Sequence, residues 1–260
     1  MKWHRIKALF FRHLYPLRRD FDLLSDMIYW PLVDTLLWGI TSQWISEASG
    51  NASVALSILM ALLMWNVIWR SQSEISRNLI DEIWNNNLVN LFSTPLMVKE
   101  WLVAAMGLSI LKTAFTLSIV TGVILLMWQA DFLFFGWWLL PFLFSMITTG
   151  WWIGFIAAGI VLRFGPKMQT VVWTLPGALL PFSAVFFPLE RFPEALQAIS
   201  RLVPTTYVFE TMRAVAAGAA VDWQTFSFSL VLNTIYLVLA LWYFVRSMRY
   251  SVRLGLGRFN

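Results

Sequence analysis

The sequence predicts an all-α integral membrane protein with six transmembrane helices. Three observations lead there. Hydrophobic residues make up 59% of the chain and charged residues only 13%, against about 25% charged in soluble domains. The mean hydropathy is +0.67. Sixteen Trp and twenty-one Phe supply the aromatic excess found at membrane interfaces. A crossing takes about 20 apolar residues, so six spans and their connections use up 260 residues. The chain reads as a single transmembrane domain, 1–260, with no room for a sizeable soluble one.

From the N-terminus, Trp3, Ile6, Leu9, Phe10 and Leu14 fall at helical spacing between Lys2, Arg5, Lys7 and Arg12. Residues 1–25 therefore contain an amphipathic helix expected to lie on a membrane surface, closed by Pro16, with Ser25 or Asp26 available to cap the next helix. No short apolar core with a cleavage site follows Met1, so no removable signal peptide is expected. The predicted spans are Met27 to Ile45, Val54 to Trp69, Trp101 to Trp128, Phe132 to Leu162 with a possible break at Pro141, Met168 to Phe187, and Phe226 to Val245. Ser49-Gly50-Asn51 and Gln129-Ala130-Asp131 read as short turns.

Orientation follows from the basic residues. Lys2 to Arg19, then Arg70, Arg77 and Lys99, then Arg163 and Lys167, then Arg246 to Arg258 all fall on one side of this arrangement; only Arg191, Arg201 and Arg213 fall on the other. Both termini are expected to be cytoplasmic in a bacterial-type inner membrane, with 188–220 facing outward. The net charge of +5 tracks the ends of apolar helices, which points to anionic lipid rather than nucleic acid.

Two connections stand out. Residues 70–100 continue the second span as a polar helix: Ile75, Leu79 and Ile83 form one stripe, Glu74, Arg77 and Asp81 another. Trp84, Leu88 and Leu91 prolong an apolar line to Phe92, and Pro95 ends it. Such an element either rests on the bilayer or its own bundle, or docks a soluble partner. Between the fifth and sixth spans, Pro188-Leu189-Glu190-Arg191-Phe192-Pro193 interrupts the apolar run, and two short amphipathic pieces follow. Backbone returned toward a bilayer has to be shielded, so these read as re-entrant helices. Phe192, Leu196, Ile199 and Val203 form the apolar stripe of the first; in the second, Thr205 or Thr206 is a candidate cap and Glu210 and Arg213 a local ion pair.

Ser73-Glu74-Ile75-Ser76-Arg77, followed by Leu91-Phe92-Ser93-Thr94-Pro95-Leu96 and Lys99-Glu100, resembles the cytoplasmic connection after the second span in the type-2 ABC transporter permease family. Phe182-Ser183 to Pro188-Leu189-Glu190, with Phe192-Pro193, Leu196, Pro204-Thr205-Thr206-Tyr207, Glu210 and Arg213, is similar to that family's signature near the fifth span. The resemblance implies a half-transporter: two permease chains, identical or related, form an outward path driven by two copies of an ATPase subunit that bind ATP and Mg. It implies a coupling helix carrying Glu74, Arg77, Trp84, Leu88, Leu91, Phe92 and Pro95. It also implies an outer gate at Phe187, Pro188, Glu190, Phe192, Pro204, Tyr207, Glu210 and Arg213. The expected cargo is a lipid, an amphiphilic drug or a short glycolipid.

The residues limit the chemistry of the chain itself. No glycine lies in a G-x-x-x-x-G-K-[ST] loop, Gly165-Pro166-Lys167 being the nearest approach, so no cofactor is expected on this chain. There is no cysteine, and His4 and His13 both lie in the N-terminal helix, which leaves an intramembrane enzyme without a His-based site. An ion-coupled transporter needs ionisable groups at membrane depth; Asp34 and Lys112 are the candidates, either as a pair or as a contact for substrate or proton. Gly150 and Gly154 form a small-residue stripe that serves internal packing or a dimer seam.

Overall fold

The computed structural model describes residues 1–50, 52–129 and 133–255, and the side chains of 52–54 and 133–134 are not described. Asn51, Ala130, Asp131, Phe132 and Arg258, which figure in the sequence reading, lie outside the described residues. Within them the regular structure is helical: α1 (Trp3–Leu14), α2 (Phe21–Ser49), α3 (Ala52–Trp84), α4 (Leu88–Ser93), α5 (Val98–Trp128), α6 (Leu139–Phe164), α7 (Val171–Leu179), α8 (Glu194–Ser200), α9 (Pro204–Ala216) and α10 (Trp223–Leu254). Among the described residues, three helical stretches are long and apolar enough to cross a membrane: Val98–Trp128, Phe135–Phe164 and Trp223–Leu254.

The remaining predicted spans take other forms. α2 is capped by Asp20, whose Oδ1 accepts from the Asp22 and Leu23 amides at 3.0 and 3.2 Å; Ser25 and Asp26 lie inside the helix instead. α3 joins the second predicted span and its polar continuation in one helix of 33 residues, about 50 Å long. The fifth predicted span is not a single crossing helix. α7 has nine residues and passes through a 3-10 turn at Leu180–Phe182, after which Ala184 adopts a left-handed conformation at φ 49°. Pro176 and Pro181 each remove a helical donor in this stretch. In the fourth, Pro141 sits in the first turn of α6, where it is tolerated; the backbone kinks earlier, at Gly136 (φ 53°, ψ −131°).

α3 is the central helix, packing along α2, α5 and α6, while α10 lies along the other side of α6. Gly150 and Gly154 explain the close α3–α6 approach. A Cβ on Gly150 would lie 2.7 Å from the Ile68 carbonyl oxygen, and one on Gly154 2.8 Å from that of Gln72. The small-residue stripe is thus an internal seam. α10 is held to α6 by a buried polar cluster: Asn233 accepts from Thr149 Oγ1 (2.9 Å) and Trp152 Nε1 (3.1 Å) and donates to Ser145 Oγ (2.8 Å).

α1 and the end of α10 meet α5 at the same end of the bundle. The Lys2 amide donates to Glu100 Oε1 at 2.6 Å, and Phe244 stacks on Trp101 at 5.3 Å. α1 turns Ile6 and Leu9 into the protein, so its apolar stripe is largely spent on α5 and the neighbouring Leu91–Leu96 segment. Trp3, Phe11 and Tyr15 stay exposed on an adjoining face.

Replacing Gly154 by Ala forces the α3 backbone and Ile75 to yield, an overpacking cost of about 1–3 kcal/mol. The expected result is a lower melting temperature in detergent with unchanged helical circular dichroism at low temperature; a melting temperature equal to the parent would count against the seam.

Candidate functional site

A cavity of about 420 Å³ opens between α2, α3, α5 and the α7 region. Helical spacing explains its walls. Asp26, Trp30, Asp34 and Trp38 recur every four residues along α2, while Leu62, Trp65, Asn66, Trp69 and Arg70 form one face of α3. Thr116 of α5, with Trp173, Leu180 and Phe186, completes it. Trp38 stacks on Phe186 at 5.1 Å with an interplanar angle of 15°, joining α2 to the segment after α7.

Beside the cavity lies a buried ion network. Lys112 Nζ donates to Glu74 Oε2 at 2.7 Å, both side chains being almost fully buried. Glu74 Oε1 stands 3.4 Å from Arg70 Nη2, which donates to Asp26 Oδ2 at 2.6 Å. Arg77 approaches the same Asp26 carboxylate at 2.7 Å and lies 5.9 Å over the Trp173 ring. The expected pairing of Asp34 with Lys112 is therefore corrected. Lys112 faces α3 and finds Glu74, whereas Asp34 faces the cavity and has no ion-pair or hydrogen-bond partner among the described residues.

The residues assigned to the coupling helix divide into two groups. Glu74 belongs to the buried network, and Leu88 and Leu91 are turned into the core, so these three cannot serve as surface anchors. Asn86, at φ 51°, breaks the line between α3 and α4 and rotates α4 relative to Trp84. The exposed tip is instead formed by Trp84, Asn85, Asn86, Asn90, Ser93 and Pro95, with Phe92 and Arg77 half-buried. Trp84 Nε1 donates to Gln169 Oε1 at 2.9 Å, which ties this tip to the start of α7. Arg12 clamps Glu82 with two bonds of 2.7 and 2.9 Å, bracing α1 against α3.

Below the network, a polar cavity of about 510 Å³ includes Arg12, His13, Arg77, Asp81, Glu82 and Lys112. Burial lowers the His13 pKa to about 4 against the pull of Glu82. Burial raises that of Asp81 to about 6 against the pull of Arg77.

At the far end, the residues assigned to the outer gate form a hydrogen-bonded scaffold. Glu210 Oε1 accepts from the Leu189 amide and from Arg213 Nη2, each at 2.7 Å, and Arg213 Nη1 donates to the Val185 carbonyl at 3.2 Å. Tyr207 donates to the Arg201 carbonyl at 2.7 Å. Val203 rather than a threonine occupies the α9 cap; Thr206 donates to the Phe182 carbonyl at 3.2 Å. Pro204 is buried under α10, Phe192 is half-buried, and Phe187, Pro188 and Glu190 are exposed. α9 is packed among α3, α6 and α10, while in the α8 stripe Val203 is buried and Ile199 is exposed.

As site residues, Asp26, Arg70 and the Trp30–Trp65–Trp69 wall escaped the sequence reading, which gave Asp26 only as a candidate cap and Arg70 only as an orienting charge. The four-residue recurrence of Asp26, Trp30, Asp34 and Trp38 was the available signal. Among the described residues no group of three or more His, Asp or Glu is placed to hold a metal ion. No protein-family model matches the chain, and no curated protein matches it.

Lys112→Met leaves Glu74 buried without its closest partner and is expected to cost about 3–5 kcal/mol, much of it recovered in the Lys112→Met, Glu74→Gln double variant. Additive losses in thermal or denaturant unfolding would exclude the pair.

The two shifted groups act in opposite directions with pH. Asp81 ionises later in the folded state, so its contribution turns unfavourable as pH rises from 3.8 to about 6 and stays so above. His13 resists protonation in the folded state, so stability is lost as pH falls from 6.5 to about 4. Asp81→Asn is expected to raise the melting temperature at about pH 7.5 and to leave it nearly unchanged below about pH 4. An equal shift at both pH values would contradict the assignment.

Proposed function

We propose that this chain is the membrane-spanning permease subunit of an ATP-driven exporter, one half of a pathway formed with a second permease chain, by preference an identical copy. α2, the first half of α3 and the short α7 run join the three long apolar helices as further crossings, giving six in a bacterial-type inner membrane with both termini cytoplasmic. Two copies of a separate ATPase subunit carry ATP and Mg.

The observation that carries this reading is α3 itself. One unbroken helix includes the cavity wall at Leu62 to Arg70 and the exposed tip at Trp84. A rigid rod of this kind transmits a push at the tip to the cavity, as ATP-driven closure of a docked partner requires. The hydrogen bond from Trp84 to Gln169 carries the same displacement into α7. The bonded scaffold of Glu210 and Arg213 supports a gate role for 188–220, because it ties the turn before α8 to α9. The pairing of Lys112 with Glu74 withdraws one of the two charges available to an ion-coupled mechanism, since it is committed to Glu74.

Coexpression with the P-loop ATPase encoded nearest its reading frame is expected to yield a copurifying complex with vanadate-sensitive ATP hydrolysis. Trp84→Asp combined with Asn90→Asp is expected to lower that hydrolysis at least about tenfold with only a small loss of melting temperature, since both sites are exposed and the Trp84–Gln169 hydrogen bond removed lies at the surface. Full activity in this variant would exclude the tip as the docking surface. Solute movement by the chain alone in ATP-free vesicles would exclude the ATP-driven reading.

A further inference from the structure

We infer that the cavity between α2, α3 and α7 is a binding site for an amphipathic organic cation, with Asp34 as its counter-ion; as an export substrate site this rests on the permease reading above. The charges in the cavity are two carboxylates, Asp26 and Asp34, against one guanidinium, Arg70. Asp26 is held by Arg70 at 2.6 Å and by Arg77 at 2.7 Å, so neither it nor Arg70 is free to meet a ligand. Thr116 donates to the Met27 carbonyl at 3.2 Å, and Asn66 Nδ2 to that of Leu62 at 3.1 Å. Asp34 is the acidic group left without a partner among the described residues.

Asp34 sits among indole rings. Trp30 and Trp38 flank it one turn below and above on α2, with Trp65, Trp69 and Trp173 on the facing elements. The face of an aromatic ring is negative and attracts cations, tryptophan most of all. An unpaired carboxylate inside such a wall selects a positive charge, and the rings add apolar area for the body of the ligand. A volume of about 420 Å³ falls in the range of small-molecule sites, about 300–1,000 Å³. An anionic ligand would meet Asp34, which has no basic partner within reach, and is disfavoured by charge.

The test uses the purified full-length chain in neutral detergent and equilibrium dialysis with radiolabelled tetraphenylphosphonium, with tetraphenylborate as the anion of the same shape. Saturable binding of the cation is expected, at least about tenfold tighter than the anion. Asp34→Asn is expected to weaken the cation by about tenfold and Asp34→Glu by much less. Because Asp34 is exposed and unpaired, both variants should keep the parent melting temperature, which separates loss of binding from loss of fold. Added phosphatidylcholine distinguishes two sources of the cation: competition assigns it to a choline headgroup, and its absence to a free amphiphile, the site surviving either way. Equal binding of cation and anion, or an Asp34→Asn variant within about twofold of the parent, would overturn the inference. Dialysis needs no ATPase, so a failed copurification with intact cation binding removes the coupling and leaves the site, and the reverse result removes the site alone.

Discussion

The buried chain of charges Asp26–Arg70–Glu74–Lys112 is the constraint on which the packing of α2, α3 and α5 depends. Removing these groups from water costs several kcal/mol per ion, and only close partners with good geometry offset that. Each member comes from a different helix or a different turn, so satisfying one fixes the rotation and depth of the next. Glu74 opposite Lys112 sets α3 against α5; Arg70 opposite Asp26 sets α3 against α2. Neutral packing alone would leave these rotations less specified, since apolar surfaces in a bilayer gain little from meeting each other rather than lipid.

The cavity is a consequence of that arrangement. With Arg70 held by Asp26 at one end and Trp38 stacked on Phe186 at the other, the aromatic faces of α2 and α3 are held facing one another. On the opposite flank of α3, Gly150 and Gly154 let α6 approach until backbones nearly touch. The central helix is thus clamped by small residues on one side and charges on another, a geometry suited to moving as one body. At its far end, the Arg12–Glu82 clamp couples α1 to the same rod.

Much of this was legible in one dimension. Apolar runs marked α5, α6 and α10, the stripe at Ile6 and Leu9 marked α1, and the i, i+3 spacing of Glu210 and Arg213 foretold their bond. Leu88 and Leu91 illustrate the limit: an apolar stripe on a polar helix has the same pattern whether a partner or the chain's own core covers it. Asn86 in a left-handed turn decided between them by rotating α4 inward. The fifth predicted span is a broken run rather than one helix for a related reason, because hydropathy averages over Pro176, Pro181 and the left-handed Ala184 without registering the broken backbone.

By itself the sequence determined an all-helical, membrane-compatible chain, the helical spacing of its stripes, and the lack of a phosphate-binding loop, because composition and periodicity are local properties. Only the tertiary structure decided who meets whom. Asp34 and Lys112 lie at comparable counts into their predicted spans, yet counting residues fixes neither the sliding of one helix along another nor its rotation. Thr116 meets the Met27 carbonyl, which sets Lys112 beside the Asp26 end of α2 and opposite Glu74, about two turns from Asp34, and leaves Asp34 facing an aromatic cavity.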